Sequence, residues 1–514
     1  MAEHRRVVIL GIPIDDINED QVVQEIRRGI DRFRDDGRAR QICTVNVDFV
    51  VNTLSWSLER VHHPELLHIL QTADLNTADG MPIVLISRLL GLPLSERVTG
   101  ADLVPRLASE GFSLYFLGGT GRDGETAARR LRERHQATNI VAVDAPFIHT
   151  TGAALADSEA EDADIIGRIN RARPEILLVA LGNPKQELWF NRNRHRLKVP
   201  VTIGVGGTFS FIAGTVRRAP RWMQKSGLEW VFRLAVDPRR LWKRYFVGFF
   251  KFGFLVFPSL IYHRRRLRAE AGEEHREVAM DGTSVHLPDL TMLRPEGRLD
   301  AASAADFSNR CAEALARGGL VLDLEAVSLI DSTGLGALLT LRRNAMQKEV
   351  PLRLANISET VRRLMELTRT WKIFENLIVD VPSAGLDDTA LAAGGPELSH
   401  AVEREEGATV LVLAGRLDQR TVDGIDPDEL GLDDTGRGLL VDGTGLDFID
   451  STGIRFLLKL IKSMARMEKP LAVCGLAPEL EQVLRMTGVD KLISTAVDRP
   501  SGLKRLGTRP LAPA

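Results

Sequence analysis

The second half of this 514-residue chain repeats itself, and this repeat limits the available folds more than any other feature of the sequence. The segment EGRLDAASAADF near residue 296 returns as AGRLDQRTVDGI near residue 414. The segment VLDLEAVSLIDSTGLGALL near residue 321 returns as LVDGTGLDFIDSTGIRFLL near residue 440. The offset of 118 to 119 residues predicts two copies of one domain of about 110 residues.

Each copy has the pattern of a small α/β domain. The expected order is strand, strand, helix, strand, DSTG turn, helix, strand, helix. We assign residues 281–385 to the first copy and 402–507 to the second, with an Ala/Gly/Asp-rich linker at 386–401 between them. Neither copy has an evident catalytic constellation, so both are interpreted as interaction modules.

The first half of the chain predicts a different α/β fold. From Val7 to about Pro238, short apolar runs alternate with amphipathic, helix-like stretches. The strand candidates are VVILGIPI, QICTVNVDFVV, SLYFLGGT, NIVAVDAPF, EILLVALG and VTIGVGG. Apolar runs of this kind are buried on both faces, and the helices between them supply right-handed crossovers. We therefore expect a doubly wound, mostly parallel sheet in residues 1–238.

The overall composition excludes some classes of function. The 67 Lys and Arg residues nearly balance the 69 Asp and Glu residues, so we expect no nucleic-acid partner. The cysteines Cys43, Cys311 and Cys474 lie far apart, which disfavours a disulfide framework or a zinc site and fits a reducing cytosol. The first residues, MAEHRRVVILGIPI, do not have the pattern of a secretory signal.

One stretch, from Leu75 to Leu103, has the pattern of an active site. Asp79 precedes Gly80 where a strand is expected to end, so its carboxylate would lie on rigid backbone and open to a cleft. Arg97 follows in the same stretch, and a guanidinium group binds phosphate oxygens in pairs. A base beside a phosphate-binding arginine indicates transfer chemistry on a phosphorylated substrate.

Three glycine-containing loops follow predicted strands and open helices. They are residues 118–121 (GGTG), 182–187 (GNPKQE) and 204–208 (GVGGT). Amide groups at such turns can hold an anion, although each loop alone is also a normal βα turn. We interpret the dinucleotide fingerprint in these loops as weak, which disfavours an NAD-dependent oxidoreductase. Three such loops in one sheet favour a nucleotide site.

Five motifs together resemble the WecG/TagA/CpsF family, the family 26 glycosyltransferases, over about residues 7 to 245. In chain order they are Thr44-Val-Asn46, Ala78-Asp79-Gly80, Glu96-Arg-Val-Thr-Gly100, Gly182-Asn-Pro-Lys-Gln-Glu187, and Arg218-Ala-Pro-Arg-Trp222 through Gly227-Leu-Glu-Trp230. The resemblance implies transfer of a sugar from a UDP-sugar to a polyprenyl-diphosphate-linked sugar, with inversion and without a bound metal. We also expect no cofactor.

The resemblance also implies roles for individual residues. Asp79 matches the general base that takes a proton from the acceptor hydroxyl. The expected substrate-binding residues are Thr44, Asn46, Arg97, Gln186, Gly118, Gly119, Gly207 and Thr208. The first motif reads TVNVD where Asn-Pro or Asn-Ala is expected, so Asp48 is an alternative base.

Residues 239–268 form a basic and aromatic appendage. An apolar run from Tyr245 to Tyr262, interrupted by Lys251 and Pro258, lies between two clusters of positive charge. Positive charge on both sides disfavours a crossing helix, so we prefer a monotopic or peripheral insert at the cytoplasmic face of the membrane over a spanning helix or a buried contact. The resemblance makes three arginines candidate contacts of the lipid diphosphate: Arg233, Arg240 and Arg244. A charged linker, 269–280, follows.

The repeated domains resemble STAS domains of the anti-sigma-factor antagonist type. Their signature is Asp331-Ser332-Thr333-Gly334 in the first copy and Asp450-Ser451-Thr452-Gly453 in the second. The resemblance makes Ser332 and Ser451 candidates for phosphorylation by a partner kinase, which would change affinity for a STAS-binding protein. The simpler interpretation is that both serines cap helices.

Two hypotheses for the whole chain remain. In the first, it is a membrane-associated glycosyltransferase that moves an N-acetylmannosamine-type or other hexose for cell-surface polysaccharide synthesis, and the STAS pair regulates it or binds partners. In the second, it is a non-catalytic adaptor that presents the STAS pair to a kinase or to a glycan-assembly complex. Self-association into a homo-oligomer is compatible with both.

Overall fold

A computed structural model describes most of the chain in three α/β units. The described residues are 4–56, 61–149, 158–225, 228–270, 284–287, 290–300, 302–348, 350–368, 370–379, 398–417, 419–422, 436–487 and 489–506. Most of the two predicted linkers, 269–280 and 386–401, lies outside these residues.

The first unit contains strands β1–β8 and helices α1–α12. The strands are β1 (Arg6–Ile9), β2 (Ile12–Asp15), β3 (Arg40–Val45), β4 (Leu75–Ala78), β5 (Ser113–Gly118), β6 (Asn139–Asp144), β7 (Ile176–Ala180) and β8 (Val201–Gly204). The helices are α1 (Glu19–Asp36), α2 (Val47–Thr53), α3 (Pro64–Thr72), α4 (Met81–Leu89), α5 (Gly100–Ser109), α6 (Asp123–Arg134), α7 (Ser158–Ala172), α8 (Lys185–Asn193), α9 (Thr208–Ala213), α10 (Arg221–Lys225), α11 (Glu229–Val236) and α12 (Pro238–Glu270).

Strands β3 to β8 form one parallel sheet with helices on both faces. The strand order is β4-β3-β8-β7-β5-β6, and every neighbouring pair is parallel. Side chains alternate between two cores: Phe116 and Leu178 lie in one, and Tyr115 and Leu177 lie in the other. Burial on both faces explains the continuously apolar runs in the sequence. The prediction of a doubly wound, mostly parallel sheet is confirmed.

Two of the predicted strands differ from the structure. The run VVILGIPI is an antiparallel hairpin, β1 and β2, outside the large sheet, and it turns at Leu10 and Gly11, which both have positive φ. The run QICTVNVDFVV is only half strand, because the Asn46 side chain accepts a hydrogen bond from the Asp48 amide and starts α2. Asp48 therefore lies in the first turn of a helix, not on a strand.

Helix α12 packs on the rest of the first unit along one face. Phe252, Leu255 and Val256 are buried in the same core as Phe49 and Val50 of α2. The Lys251 ammonium donates a hydrogen bond to the Val51 carbonyl over 2.8 Å. The appendage predicted at 239–268 is thus one long helix whose inner face completes the core of the first unit.

The two repeated units have matching architectures. The first contains β9 (Ser284–Leu287), β10 (Leu290–Leu293), β11 (Gly297–Leu299), α13 (Ala304–Arg317), β12 (Gly319–Asp323), β13 (Val327–Ile330), α14 (Ser332–Lys348), β14 (Leu352–Ala355), α15 (Glu359–Leu367), α16 (Trp371–Phe374) and β15 (Ile378–Val379). The second contains β16 (Ser399–Glu405), β17 (Ala408–Leu417), α17 (Gln419–Val422), β18 (Leu439–Ile449), α18 (Ser451–Arg466), β19 (Leu471–Cys474), α19 (Pro478–Thr487), β20 (Ser494–Ala496) and α20 (Arg499–Arg505).

Their sheets are ordered β15-β14-β12-β10-β9 and β16-β17-β18-β19-β20. In the first copy, β11 and β13 form a separate parallel pair. In the second copy the long strands β17 and β18 cover the equivalent positions, and their pairing shifts register between Val412 and Ala414 and between Gly415 and Arg416. The α/β class is confirmed for both copies, but each copy also contains a last strand, β15 or β20, that the predicted order does not include.

The DSTG turns start helices α14 and α18, but the capping residue is the aspartate. An oxygen of Asp331 accepts hydrogen bonds from the amides of Thr333 and Gly334. Asp450 caps α18 in the same way. The interpretation of the two serines as caps is wrong, because each serine is the first residue inside its helix.

Candidate active site

The predicted site residues lie at one edge of the parallel sheet. Thr44 and Asn46 are at the end of β3, and Asp79 follows β4. The loops that contain Gly118 and Gln186 follow β5 and β7. Since all these strands are parallel, their carboxyl ends meet at the edge where open α/β sheets bind ligands.

Asp79 is held at this edge by its backbone. Its amide donates to the Val45 carbonyl over 2.8 Å, which extends the pairing of β4 with β3. The side chain is half-buried. Burial raises the pKa of Asp79 to about 6, against the opposing effect of the Arg233 and Arg97 guanidinium groups. A carboxylate with this pKa is matched to proton transfer near neutral pH.

Asp79 interacts electrostatically with a group of ion-paired side chains that we call the guanidinium cluster: Arg97, Arg218, Arg233, Asp102 and Glu229. Arg97 donates to Glu229 over 3.0 Å, and Arg233 also donates to Glu229. Arg218 binds Asp102 through two hydrogen bonds of 2.7 Å. Three guanidinium groups against two carboxylates leave a net positive charge beside Asp79, where a phosphorylated substrate would be favoured.

The carboxylates of the guanidinium cluster are ionised. Burial alone would raise the pKa of Asp102, but hydrogen bonds from Arg218 and the Thr99 hydroxyl hold it below its usual range. Burial likewise opposes ionisation of Glu229, and Arg233 and Arg97 outweigh it and lower the pKa. The two carboxylates therefore hold the arginines in place and do not compete with Asp79 for a proton.

Sequence reasoning missed three members of this cluster as site residues. Arg218 and Glu229 fall inside the fifth motif, which carries the resemblance without indicating a role for either. Asp102 lies just beyond the Glu96–Gly100 motif. Their pairing joins positions 132 residues apart in the case of Arg97 and Glu229, and no local pattern indicates such a contact.

The 182–187 loop is tied to the loop after β8 by a network of buried amides and one carboxylate. The Gln186 amide donates to Glu187 over 2.7 Å, and its oxygen accepts from the Gly206 amide over 3.1 Å. Asn183 donates to the other oxygen of Glu187 over 3.1 Å. Burial raises the pKa of Glu187 to about 7. Gln186 is thus positioned at the site edge, and Glu187, which the sequence did not single out, fixes it.

The hydroxyl groups of two predicted substrate-binding threonines donate hydrogen bonds to backbone carbonyls at the end of β8 and directly after it. The Thr44 hydroxyl donates to the Gly204 carbonyl over 2.8 Å, and the Thr208 hydroxyl donates to the Val205 carbonyl over 2.7 Å. Both side chains are buried. Together with Asn46, which caps α2, they hold the loops around the site.

The backbone conformation of the 118–121 loop requires glycine at Gly118 and Gly119. Gly118 and Gly119 have φ of 91° and 99°, and a Cβ on Gly118 would lie 2.9 Å from the Ala180 carbonyl oxygen. The Gly119 amide donates to that same carbonyl over 3.0 Å, so this amide is not available to an anion. Gly207 precedes α9 and has no such contact within 4 Å.

The remaining predicted residues lie on helices. The Arg233 guanidinium stacks over the Phe211 ring, 4.6 Å from its centroid. Arg240 and Arg244 lie on α12, and their side chains are outside the described part of the structure. Ser332 is half-buried at the start of α14, whereas the side chain of Ser451 is also outside the described part.

Comparisons with known proteins identify the families that both halves of the chain match. The model of the glycosyl transferase WecG/TagA/CpsF family matches residues 7–266, and the STAS domain model matches residues 283–384 and 399–500. An N-acetylglucosaminyldiphosphoundecaprenol N-acetyl-beta-D-mannosaminyltransferase of Bacillus spizizenii is 30% identical over 191 residues, which cover 36% of this chain and 69% of that enzyme. The enzyme of the same name from Staphylococcus aureus strain MRSA252 is 28% identical over 243 residues, covering 46% of this chain and 86% of that enzyme.

Among solved structures, an anti-sigma factor antagonist from Mycobacterium paratuberculosis is 20% identical, with a TM-score of 0.21, and covers 22% of this chain and 95% of its own.

The fold, the site edge and these relatives define a glycosyltransferase. The chain belongs to the glycosyl transferase WecG/TagA/CpsF family, and it carries two STAS domains after the transferase domain.

Proposed function

We propose that the chain transfers an N-acetylmannosamine-type or other hexose from a UDP-sugar to a polyprenyl-diphosphate-linked sugar, at the cytoplasmic face of a membrane. The observation that carries this proposal is the position of Asp79, with its raised pKa, beside the guanidinium cluster. The names of the relatives, which specify an N-acetylglucosaminyldiphosphoundecaprenol acceptor and an N-acetylmannosaminyl group, support the same chemistry.

In the proposed reaction Asp79 is the general base. Its carboxylate accepts the proton of an acceptor hydroxyl as that oxygen forms a bond to the anomeric carbon of the donor. The bond from the anomeric carbon to the diphosphate breaks on the opposite face, so the configuration inverts and UDP leaves. The pKa of Asp79 fits this role, because a carboxyl group with a pKa of about 6 is ionised, and so able to accept a proton, in half of the molecules at about pH 6.

The charge that develops on the departing diphosphate is met by arginine in this proposal. Arg97, Arg218 and Arg233 are already ordered by Asp102 and Glu229, so they need little reorganisation during the reaction. Among the described residues, no three His, Cys, Asp or Glu side chains gather into a group that could hold a metal ion. Transfer that persists in excess EDTA would support the arginine-based account, and loss restored by a divalent cation would refute it.

The outer face of α12 supports attachment to a membrane surface. The segment Leu241–Ile261 is long and apolar enough to cross a bilayer, by length and composition. Five of its exposed apolar side chains form one stripe at helical spacing: Phe246, Phe250, Phe254, Phe257 and Ile261. The exposed Trp56 ring lies beside the rings of Phe250 and Phe254, with 6.0 Å between the ring centroids in each pair, and widens this apolar surface.

A peripheral position explains both faces of α12 better than a crossing helix does. The inner face, with Phe252, Leu255 and Val256, is covered by the transferase core and cannot also face lipid. Insertion of the outer stripe by about 5–10 Å would bury the aromatic rings and leave the catalytic domain in water. Exposed Arg239 and Lys243 would each add about 1 kcal/mol near anionic headgroups.

The same helix connects the membrane surface to the base. Helix α11 packs on α12, with the Trp230 ring 5.1 Å from the Phe249 ring. Glu229 and Arg233, on α11, belong to the guanidinium cluster that faces Asp79. A lipid diphosphate that enters along α12 would therefore meet Arg233 before its sugar reaches Asp79. Substitution Phe250→Asp should weaken binding to anionic vesicles, and Val402→Asp, an exposed position on β16, is the matched control.

For the STAS pair we propose a regulatory or partner-binding role. Each DSTG serine is placed in the first turn of a helix, where backbone amides favour an added phosphate and the neighbouring aspartate disfavours it. A kinase or another STAS-binding protein would be the partner.

The function is tested by a panel of UDP-sugars with a short-chain polyprenyl-diphosphate-GlcNAc acceptor, with the product read by mass. We expect one added hexosamine from UDP-N-acetylmannosamine. A chain that binds UDP but forms no product with any sugar in the panel would contradict the proposal and favour the non-catalytic adaptor.

A further inference from the structure

The first strand of the chain is shared by two domains. On β1, Val7 and Ile9 are buried in the transferase core, whereas Val8, between them, is buried in the core of the first STAS domain. Adjacent residues of a strand point to opposite faces, so the β1–β2 hairpin lies between the two domains with one face in each. The STAS domain that packs there is therefore a neighbour of the transferase within the same chain.

Helix α14 makes this contact through one face. A Cβ on Gly336 would lie 2.9 Å from the Arg6 carbonyl oxygen, so the close approach of helix and strand requires glycine. One turn later, the Thr340 hydroxyl accepts a hydrogen bond from the Arg6 guanidinium over 3.2 Å. A further turn brings Arg343 against the transferase domain. Residues spaced by four and three positions share one helix face, and we call Gly336, Thr340 and Arg343 the docking stripe.

Arg343, the last residue of the docking stripe, binds the segment that leads into strand β4. Arg343 is buried, and its guanidinium donates to the carbonyls of Ala73 and Asp74 over 3.2 and 3.1 Å. These carbonyls join the end of α3 to the start of β4. The Asp74 carboxylate is separately fixed by Arg194 over 2.9 Å. The docking stripe thus supplies two hydrogen bonds to the segment that leads into β4.

A second series of hydrogen bonds links α14 to the middle of β4. Arg6, which binds Thr340, also donates to Asp15 over 2.6 Å. The other carboxylate oxygen of Asp15 accepts a hydrogen bond from the backbone amide of Asn76 over 2.7 Å. Strand β4 has four residues and lies at the edge of the sheet, with β3 as its partner within that sheet. Asp79 is three residues beyond Asn76.

We propose that the docking stripe of α14 is an interaction surface for this chain's own transferase domain, and that docking positions β4 and with it the base Asp79. The second part rests on the function proposed for Asp79. Gly336 and Arg343 act here as positioning residues, because they contact β1 and the segment before β4 and not the reacting atoms.

The second STAS domain uses the equivalent helix face. Arg455 of α18 occupies the position that corresponds to Gly336 in the repeat. It donates to Ser158 and Asp162 of the transferase domain over 3.2 and 3.1 Å. Asp162 also accepts hydrogen bonds from Trp189 and Arg192. Both copies therefore dock on the transferase through the helix that the DSTG turn begins.

The test compares full-length chains that differ at one position of α14. In Gly336→Leu the new side chain meets the backbone of Arg6, and the three atoms nearest to the added Cβ all belong to Arg6, so the STAS fold itself should tolerate it. Gln347→Leu adds the same side chain at an exposed position of the same helix and is the control. Arg343→Ala is the second variant, since it removes hydrogen bonds without adding volume.

Two measurements are made on each chain: amide hydrogen exchange by mass spectrometry, and steady-state sugar transfer. We expect exchange at 6–15 and 73–78 to be about tenfold faster in Gly336→Leu and Arg343→Ala, with β12 (Gly319–Asp323) unchanged. We also expect kcat to fall about tenfold or more at unchanged donor KM, because small displacements of a catalytic group are costly.

Exchange that is unchanged in both variants would overturn the docking surface. Faster exchange with a wild-type kcat would overturn the positioning of Asp79. If the wild-type chain makes no transfer product, the proposed function fails, while the exchange comparison still tests the docking surface by itself.

Discussion

Replacement of Arg233 by Gln should move the pH at which the enzyme loses activity. The pKa of Asp79 is raised to about 6 by burial, and Arg233 is the strongest of the charges that oppose this rise. Removal of an adjacent opposite charge raises a carboxyl pKa by about one to three units. The Arg233 side chain is 35% exposed, so solvent screening keeps the expected shift near about one unit.

The consequence can be calculated for a base that must be ionised. With a pKa near 6, about half of the wild-type enzyme is competent at pH 6, whereas with a pKa near 7 only about one-tenth of the variant is. Protonation alone should therefore lower kcat/KM about fivefold at pH 6 and have almost no effect at pH 8.5. Any loss that remains at pH 8.5 measures the contact that we propose between Arg233 and the diphosphate.

The assay is the pH profile of kcat/KM for sugar transfer, between pH 5 and 9. Arg129→Gln removes an exposed arginine away from the guanidinium cluster and is the matched control. An inflection in the Arg233→Gln profile that stays at the wild-type position, or moves to lower pH, would refute the electrostatic account of Asp79.

Further predictions concern stability and the STAS domains. Glu187 has a folded pKa of about 7, above that of an unfolded glutamate, so its stabilising effect is complete below about pH 4.5 and is lost as pH rises towards 7. Glu187→Gln should therefore raise the melting temperature at pH 8 and change it little at pH 4.5; an equal change at both pH values would contradict this. Asp450→Ala should lower the free energy of unfolding by about 1 kcal/mol through loss of the α18 cap, measured by urea denaturation. Ser451→Ala should have a much smaller effect, and the reverse order would restore the serine as the cap. Phe250→Asp should release the chain from anionic vesicles in a sedimentation assay, and retention equal to that of wild type would remove α12 as the membrane contact.

The sequence predicts those parts of the structure whose physics is local. Strand β7, and β5 after Ser113, have no polar side chain because both faces are covered, and that pattern is visible without coordinates. The carboxylate of Asp79 can be identified because a strand end and a glycine turn place it at the ligand-binding edge. The repeat indicates the order of elements in both STAS domains, since similar sequences fold alike.

The sequence does not predict features that depend on contacts between distant segments. The hairpin β1–β2 looks like one long strand, because its turn at Leu10 and Gly11 is itself apolar. The pairing of Arg97 with Glu229 and the approach of Gly336 to Arg6 join positions that share no local pattern. These contacts form the guanidinium cluster and the docking stripe, so both emerge only from the folded chain.

The central claim is that Asp79 removes the proton from the acceptor sugar. The most direct measurement is single-turnover sugar transfer by Asp79→Asn at pH 8, beside wild type and Asp48→Asn, with folding checked by the melting temperature. The account predicts loss of transfer by at least about a hundredfold in Asp79→Asn, with the chain still folded and with Asp48→Asn close to wild type. Transfer at the wild-type rate by Asp79→Asn, or its loss in Asp48→Asn alone, would contradict it.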